Sequence, residues 1–117
     1  MNRLYIYFRD TRYDFEELCL FRKKLSDAFS EVRPYCTIVI DNRAIALPER
    51  FKHDIKFNLV TQSLQKPVHA FAEVIKAHYY SILPHHTQTI MDPFQPVFKK
   101  FTSLDAAEVW LNNLKAI

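Results

Sequence analysis

Apolar residues recur along this chain with two different periods, and the switches between them mark out the elements. Residues 4–8 read LYIYF, apolar and aromatic throughout, which predicts a strand covered on both faces. Asp14 and Glu17 then form a D-x-x-E start close to a capping box. Behind it Leu18, Phe21, Leu25, Ala28, Phe29 and Val32 fall at helical spacing. Arg22, Lys23 and Lys24 lie largely off that stripe, as a solvated helix face would. Pro34 closes the helical region. Residues 36–40, CTIVI, are β-branched and uncharged and form the clearest strand signal.

The polar turn Asp41-Asn42-Arg43 follows, and Pro48 stands where a first helical turn tolerates proline. Phe51, Ile55, Leu59, Val60 and Leu64 continue at helical spacing up to Pro67. Residues 68–75 alternate, with Val68, Ala70, Ala72 and Val74 on one side and His69, Phe71, Glu73 and Ile75 on the other. That alternation favours a strand over a helix. Pro84, Pro93 and Pro96 break up residues 77–98, and 84–98 reads as irregular helix and loop. Residues 99–101 form a short strand, and Thr102 or Ser103 caps a helix whose apolar face is Leu104, Ala107, in part Val109, Trp110, Leu111 and Leu114. The order β-α-β-α-β-α-β-α implies one α/β domain over residues 1–117. About four strands would form a mixed or mostly parallel sheet with helices packed on it.

Composition narrows the functions open to such a domain. The chain has 117 residues, 49% of them hydrophobic and 25% charged, which suits a single core. It contains no glycine. A P-loop and a GxGxxG dinucleotide turn both require glycine for close backbone approach, so neither is present. Bends are therefore expected at Asp, Asn and the six prolines. The net charge is +3, and the basic clusters are only residues 22–24 and 99–100, so no nucleic-acid contact is expected. No apolar run approaches the ~20 residues of a membrane span, and Arg9 and Asp10 interrupt the first apolar run too early for a secretory signal. Cys19 and Cys36 make no disulfide framework, which points to a cytoplasmic location.

The stretch FTSLDAAEVWL, residues 101–111, resembles the C-terminal signature of the SpoIIAA-like branch of STAS domains, carried by Phe101, Ala107, Trp110 and Leu111. The layout over roughly residues 35–114 is similar as well. The resemblance implies a STAS-like fold in a non-enzymatic regulatory module with a protein partner. In antagonist members a phosphorylatable Ser or Thr sits in a turn after a central strand. The comparable turn here, IDNRAIALPERF, has no Ser, Thr or Gly, so that switch does not carry over.

Few residue groupings point to chemistry. Of His53, His69, His78, His85 and His86, the adjacent last two would diverge on a helix, and no HExxH or CxxC spacing occurs. No metal or other cofactor is expected. No catalytic residue is assigned, and Cys19 and Cys36 read as small hydrophobes. The carboxyl ends of the strands gather Arg9, Asp41, Asn42 and Arg43, which makes these four the candidate ligand or partner site. Asp41 and Asn42 also serve simply as turn residues. The expected function is a non-enzymatic regulatory or protein-interaction module, acting on a protein partner or as a homodimer. The alternative is a domain holding a small apolar or lipid ligand in a pocket under residues 77–98.

Overall fold

The computed structural model describes residues 2–9, 12–44, 49–76 and 97–114. Its elements run β1 (Arg3–Tyr7), α1 (Phe15–Glu31), β2 (Cys36–Asp41), α2 (Glu49–Ser63), β3 (Val68–Val74), β4 (Val97–Phe101) and α3 (Leu104–Asn112). The four strands lie side by side in the order β1-β2-β3-β4, and every neighbouring pair is parallel. The expected mixed or mostly parallel sheet is thus wholly parallel among the described strands. Among the described strands the order does not reverse, so these four form no switch-point crevice of the kind in which many open α/β sheets hold ligands. The irregular helix expected within residues 84–98 falls, up to residue 96, outside the described residues.

Local sequence explains the helix starts. The Asp14 carboxylate accepts from the Glu17 N–H at 2.7 Å, and Glu17 accepts from the Asp14 N–H at 3.1 Å. This capping box satisfies two donors that the first turn of α1 would otherwise leave open. Of the two candidate caps at α3, Ser103 serves, its hydroxyl accepting from the Ala106 N–H at 3.1 Å. The far end of α1 is closed by a residue distant in sequence. Lys66 Nζ donates to the carbonyls of Phe29, Ser30 and Val32 at 2.7–2.9 Å, placing a cation at the negative end of the helix dipole.

The sheet separates two apolar layers. On one face α1 and α2 lay Leu25, Phe29, Phe51, Ile55, Leu59 and Val60 against Leu4, Ile6, Ile38, Ile40 and Phe71. On the other, α3 lays Ala107 and Leu111 against Val39, Ala70, Ala72 and Val74. Alanines at the contact let α3 lie close to β3, and Trp110 packs on Phe101 with ring centroids 5.4 Å apart. Burying a side chain such as Phe71 or Ile38 fully stabilises the fold by about 1.5–3 kcal/mol.

Two sequence expectations need correction. Val68 does not share a face with Ala70. The β2–β3 register shifts between Cys36 and Thr37, so that Cys36 pairs with Val68 and Thr37 with Ala70. The extra residue, His69, turns Val68 onto the α1/α2 face, where it joins Phe71 in the core. The second concerns backbone handedness, since the bend before β2 does fall at a proline, Pro34, as expected, but the left-handed residue beside it is a tyrosine. Among the described residues the left-handed backbone position is Tyr35, with φ of 64°, rather than an Asn or Asp. Its N–H is fixed by the Pro67 carbonyl at 2.6 Å. In a chain without glycine, a tyrosine here accepts a conformation that L-residues disfavour by about 1–2 kcal/mol.

Candidate functional site

The strand ends do not assemble the expected four-residue site. Arg43 forms a two-point ion pair with Asp41, Nε to Oδ1 at 2.8 Å and Nη2 to Oδ2 at 2.6 Å. Asp41 holds the Arg43 guanidinium above its usual pKa. Arg9 instead pairs with Glu17 and lies over the Tyr13 ring, 4.9 Å from its centroid. Its bond, after the Asp14 N–H, helps hold the Glu17 carboxyl below its ordinary value. Among the described residues no hydrogen bond or ion pair joins Arg9 to Asp41, Asn42 or Arg43.

Asn42 turns inward and anchors a cluster absent from the sequence reading. Its Nδ2 donates to Glu73 Oε2 at 2.5 Å, and Lys56 Nζ reaches the same oxygen at 3.1 Å. Lys52 Nζ donates to the Asn42 carbonyl at 3.2 Å. Glu73 is only 2% exposed, and Lys52 and Lys56 are 5% and 8%. Topology explains the meeting. Across the α1/α2 face one row reads Ile6, Ile40, Glu73 and Lys100, the continuation of the apolar row Leu4, Ile38, Phe71 and Phe98. Lys52 and Lys56 stand one turn apart on α2 and so share a face. Burial holds the Lys100 amine below the usual lysine value, with Glu73 opposing and Lys56 adding to the shift. The cluster therefore clamps α2 to β2 and β3. Two of its acceptors, Asn42 Oδ1 and Glu73 Oε1, are buried without a hydrogen-bond donor. The sequence held one sign of this cluster, a glutamate in the alternation of a buried strand.

Among the described residues, no strand pairs with the outer edge of β1. The Thr37 N–H bonds to the Asn2 carbonyl at 3.0 Å, which sets the phase of the parallel ladder. Asn2, Leu4 and Ile6 thus serve β2, while Arg3, Tyr5 and Tyr7 direct their N–H and C=O groups outwards. Beside this edge, between β1 and α1, runs a groove of about 190 Å³ lined by Leu4, Ile6, Tyr7, Phe21, Lys24 and Leu25. Tyr7 is half exposed at its rim. The edge strands differ in character. β4 carries Lys99 and Lys100 within five residues, the charged pattern that discourages strand addition. β1 carries one charge, Arg3, at its start, and no proline.

The other sequence candidates are now placed. Cys36 is fully buried in the core, where burial pushes its thiol pKa up, whereas Cys19 is exposed. His69 Nε2 is buried without a partner at the β3 irregularity. Among the described residues no group of His, Cys, Asp and Glu is arranged to hold a metal. No described helix is long and apolar enough to cross a membrane. The expected apolar pocket under residues 77–98 lies outside the described residues, except for residues 97 and 98, which open β4. No family model matches the chain, and no curated protein or solved structure matches it at a significant level.

Proposed function

We propose that this chain is a non-enzymatic regulatory or protein-interaction module that receives an extended backbone at β1. One observation carries the reading: among the described residues nothing pairs with the outward N–H and C=O groups of Arg3, Tyr5 and Tyr7, which lie beside an apolar groove. Main-chain pairing would supply affinity there, and the groove would select alternate side chains of the incoming strand. In the Glu73 cluster, by contrast, the Asn42 amide and the Lys56 ammonium both spend their donors on one buried carboxylate oxygen, Glu73 Oε2. The STAS likeness belongs with this proposal and rests on Phe101, Ala107, Trp110 and Leu111.

Residue-resolved amide exchange tests the reading. The Arg3, Tyr5 and Tyr7 amides have no acceptor among the described residues, so protection at these three that grows with concentration or with added peptide reports a partner strand. The full chain is measured across a concentration range, and at the lowest concentration with an excess of extended peptides that alternate apolar and polar residues. Protection of these amides is expected in at least one series. Free exchange in every sample would end the proposal.

A further inference from the structure

We infer that the strand received at β1 is the β1 of a second copy of this chain, paired antiparallel about a two-fold axis through Tyr5. This inference rests on the reading of β1 as a docking edge. The match comes from the phase of the ladder. In an antiparallel pair, residues whose polar groups face the partner exchange two hydrogen bonds each. With Tyr5 opposite Tyr5, Arg3 falls opposite Tyr7 at both ends. The three outward residues of each chain then meet the same three of the other, two bonds in each of three pairs, and no outward group is left over. A register one residue away would oppose outward residues to inward ones and lose the ladder.

The side chains suit the same register. On the α3 side, Tyr5 and Tyr7 stack with ring centroids 6.0 Å apart, and the register brings Arg3 of the other copy against Tyr7. The Arg3 guanidinium is held within its own copy, Nε donating to Thr37 Oγ1 at 2.8 Å and Nη2 to Asn112 Oδ1 at 3.0 Å, so the aliphatic stem of Arg3 is what packs against the half-exposed Tyr7 ring. On the α1 side, Leu4 of one copy opposes Ile6 of the other and extends the apolar floor of the groove. The α1 helices then approach each other antiparallel. Arg22 of α1 bonds Asp54 of α2, so the flank of α1 turned away from α2 is the one bordering the groove. That outer flank bears Leu20, Lys24 and Asp27, spaced four and three residues apart and all exposed. Antiparallel approach sets Lys24 of each copy beside Asp27 of the other. Backbone, ring and charge patterns are thus each complementary to their own rotated copy, as an isologous interface requires.

Light scattering coupled to size exclusion, run on the full chain over a concentration range, reads the mass. Twice the monomer mass is expected. Tyr7→Pro removes an outward N–H that β2 does not use, so the fold should hold, as a native circular-dichroism spectrum would show. Two inter-chain bonds are lost with it, and the dimer dissociation constant should rise roughly tenfold or more. A second variant, Tyr5→Cys in a Cys19→Ser background, places a thiol on the proposed axis. Mild oxidation should then link two chains, because a hydrogen-bonded antiparallel pair holds its Cα atoms at about 5.5 Å, within disulfide range. A monomer at every concentration would overturn the inference. So would a dimer that survives Tyr7→Pro unchanged and does not cross-link. A monomer whose Arg3, Tyr5 and Tyr7 amides are protected by peptide would overturn self-pairing and leave the docking edge standing. Amides that exchange freely throughout would remove both.

Discussion

Glu73→Ala is the substitution whose cost follows most directly from the structure. The Glu73 carboxylate accepts from Asn42 and from Lys56, and its side chain is 3% exposed against 11% for that of Lys56. Solvent screening is therefore weak on both sides of this pair. Removing the carboxylate leaves the Lys56 ammonium and the Asn42 amide buried without their acceptor. Breaking a buried pair from one side costs about 3–5 kcal/mol. That is a large part of the ~5–15 kcal/mol by which domains of this size are stable. Urea unfolding followed by circular dichroism reads the change as a lower midpoint at constant slope. Glu73→Gln keeps the volume and one acceptor and should cost less. Combined with Lys56→Met, which removes the stranded cation, it should cost less than the sum of the two single changes by about 1 kcal/mol or more. A loss below about 1 kcal/mol for Glu73→Ala, or strict additivity in the double variant, would show that the cluster does not clamp α2 to the sheet.

Three further outcomes can be checked separately. Lys66→Met should lower stability by about 1–2 kcal/mol, because three carbonyls at the end of α1 lose their donor; the same unfolding titration measures it. Tyr35→Gly relieves the left-handed backbone strain but gives the unfolded chain more freedom, so stability should stay level or rise by up to about 1 kcal/mol, where an ordinary surface Tyr→Gly would lower it. Lys100 has a folded-state pKa below its unfolded value of 10.5, so stability from this group should rise as pH climbs through its folded pKa towards 10.5; NMR titration of the ¹³C-dimethylated lysines should find its midpoint below 10.5.

The strands and helices could be read in advance because their periods are strong and their ends carry chemical marks. Asp14 with Glu17, and Ser103, act as the caps that their spacing suggested. Reading failed where a contact spans the fold. Lys52 and Lys56 look like ordinary helix-surface lysines, and only the sheet register brings them to Asn42 and Glu73. Lys66 sits just before a proline and gives no hint that it closes a helix more than thirty residues earlier. The alternation of residues 68–75 puts Val68 with Ala70, but one extra residue in β3 breaks that parity and turns Val68 to the other face. Asp41 closes β2 and Arg43 stands two residues on, and their charges are spent on each other. The place of β1 at the end of the described strand order has no local signature, since LYIYF would read the same in the middle of a sheet.

The placement of α3 has a consequence for how the chain is made. Among the described residues, α3 is what shields Val39, Ala70, Ala72 and Val74, and its codons come after those of all four strands. A nascent chain can lay α1 and α2 onto their side of the sheet while translation continues, yet Val39, Ala70, Ala72 and Val74 lack the cover that Ala107 and Leu111 give them until α3 clears the ribosome exit tunnel. Ribosome-bound intermediates stalled before that point should be the species that chaperones recognise.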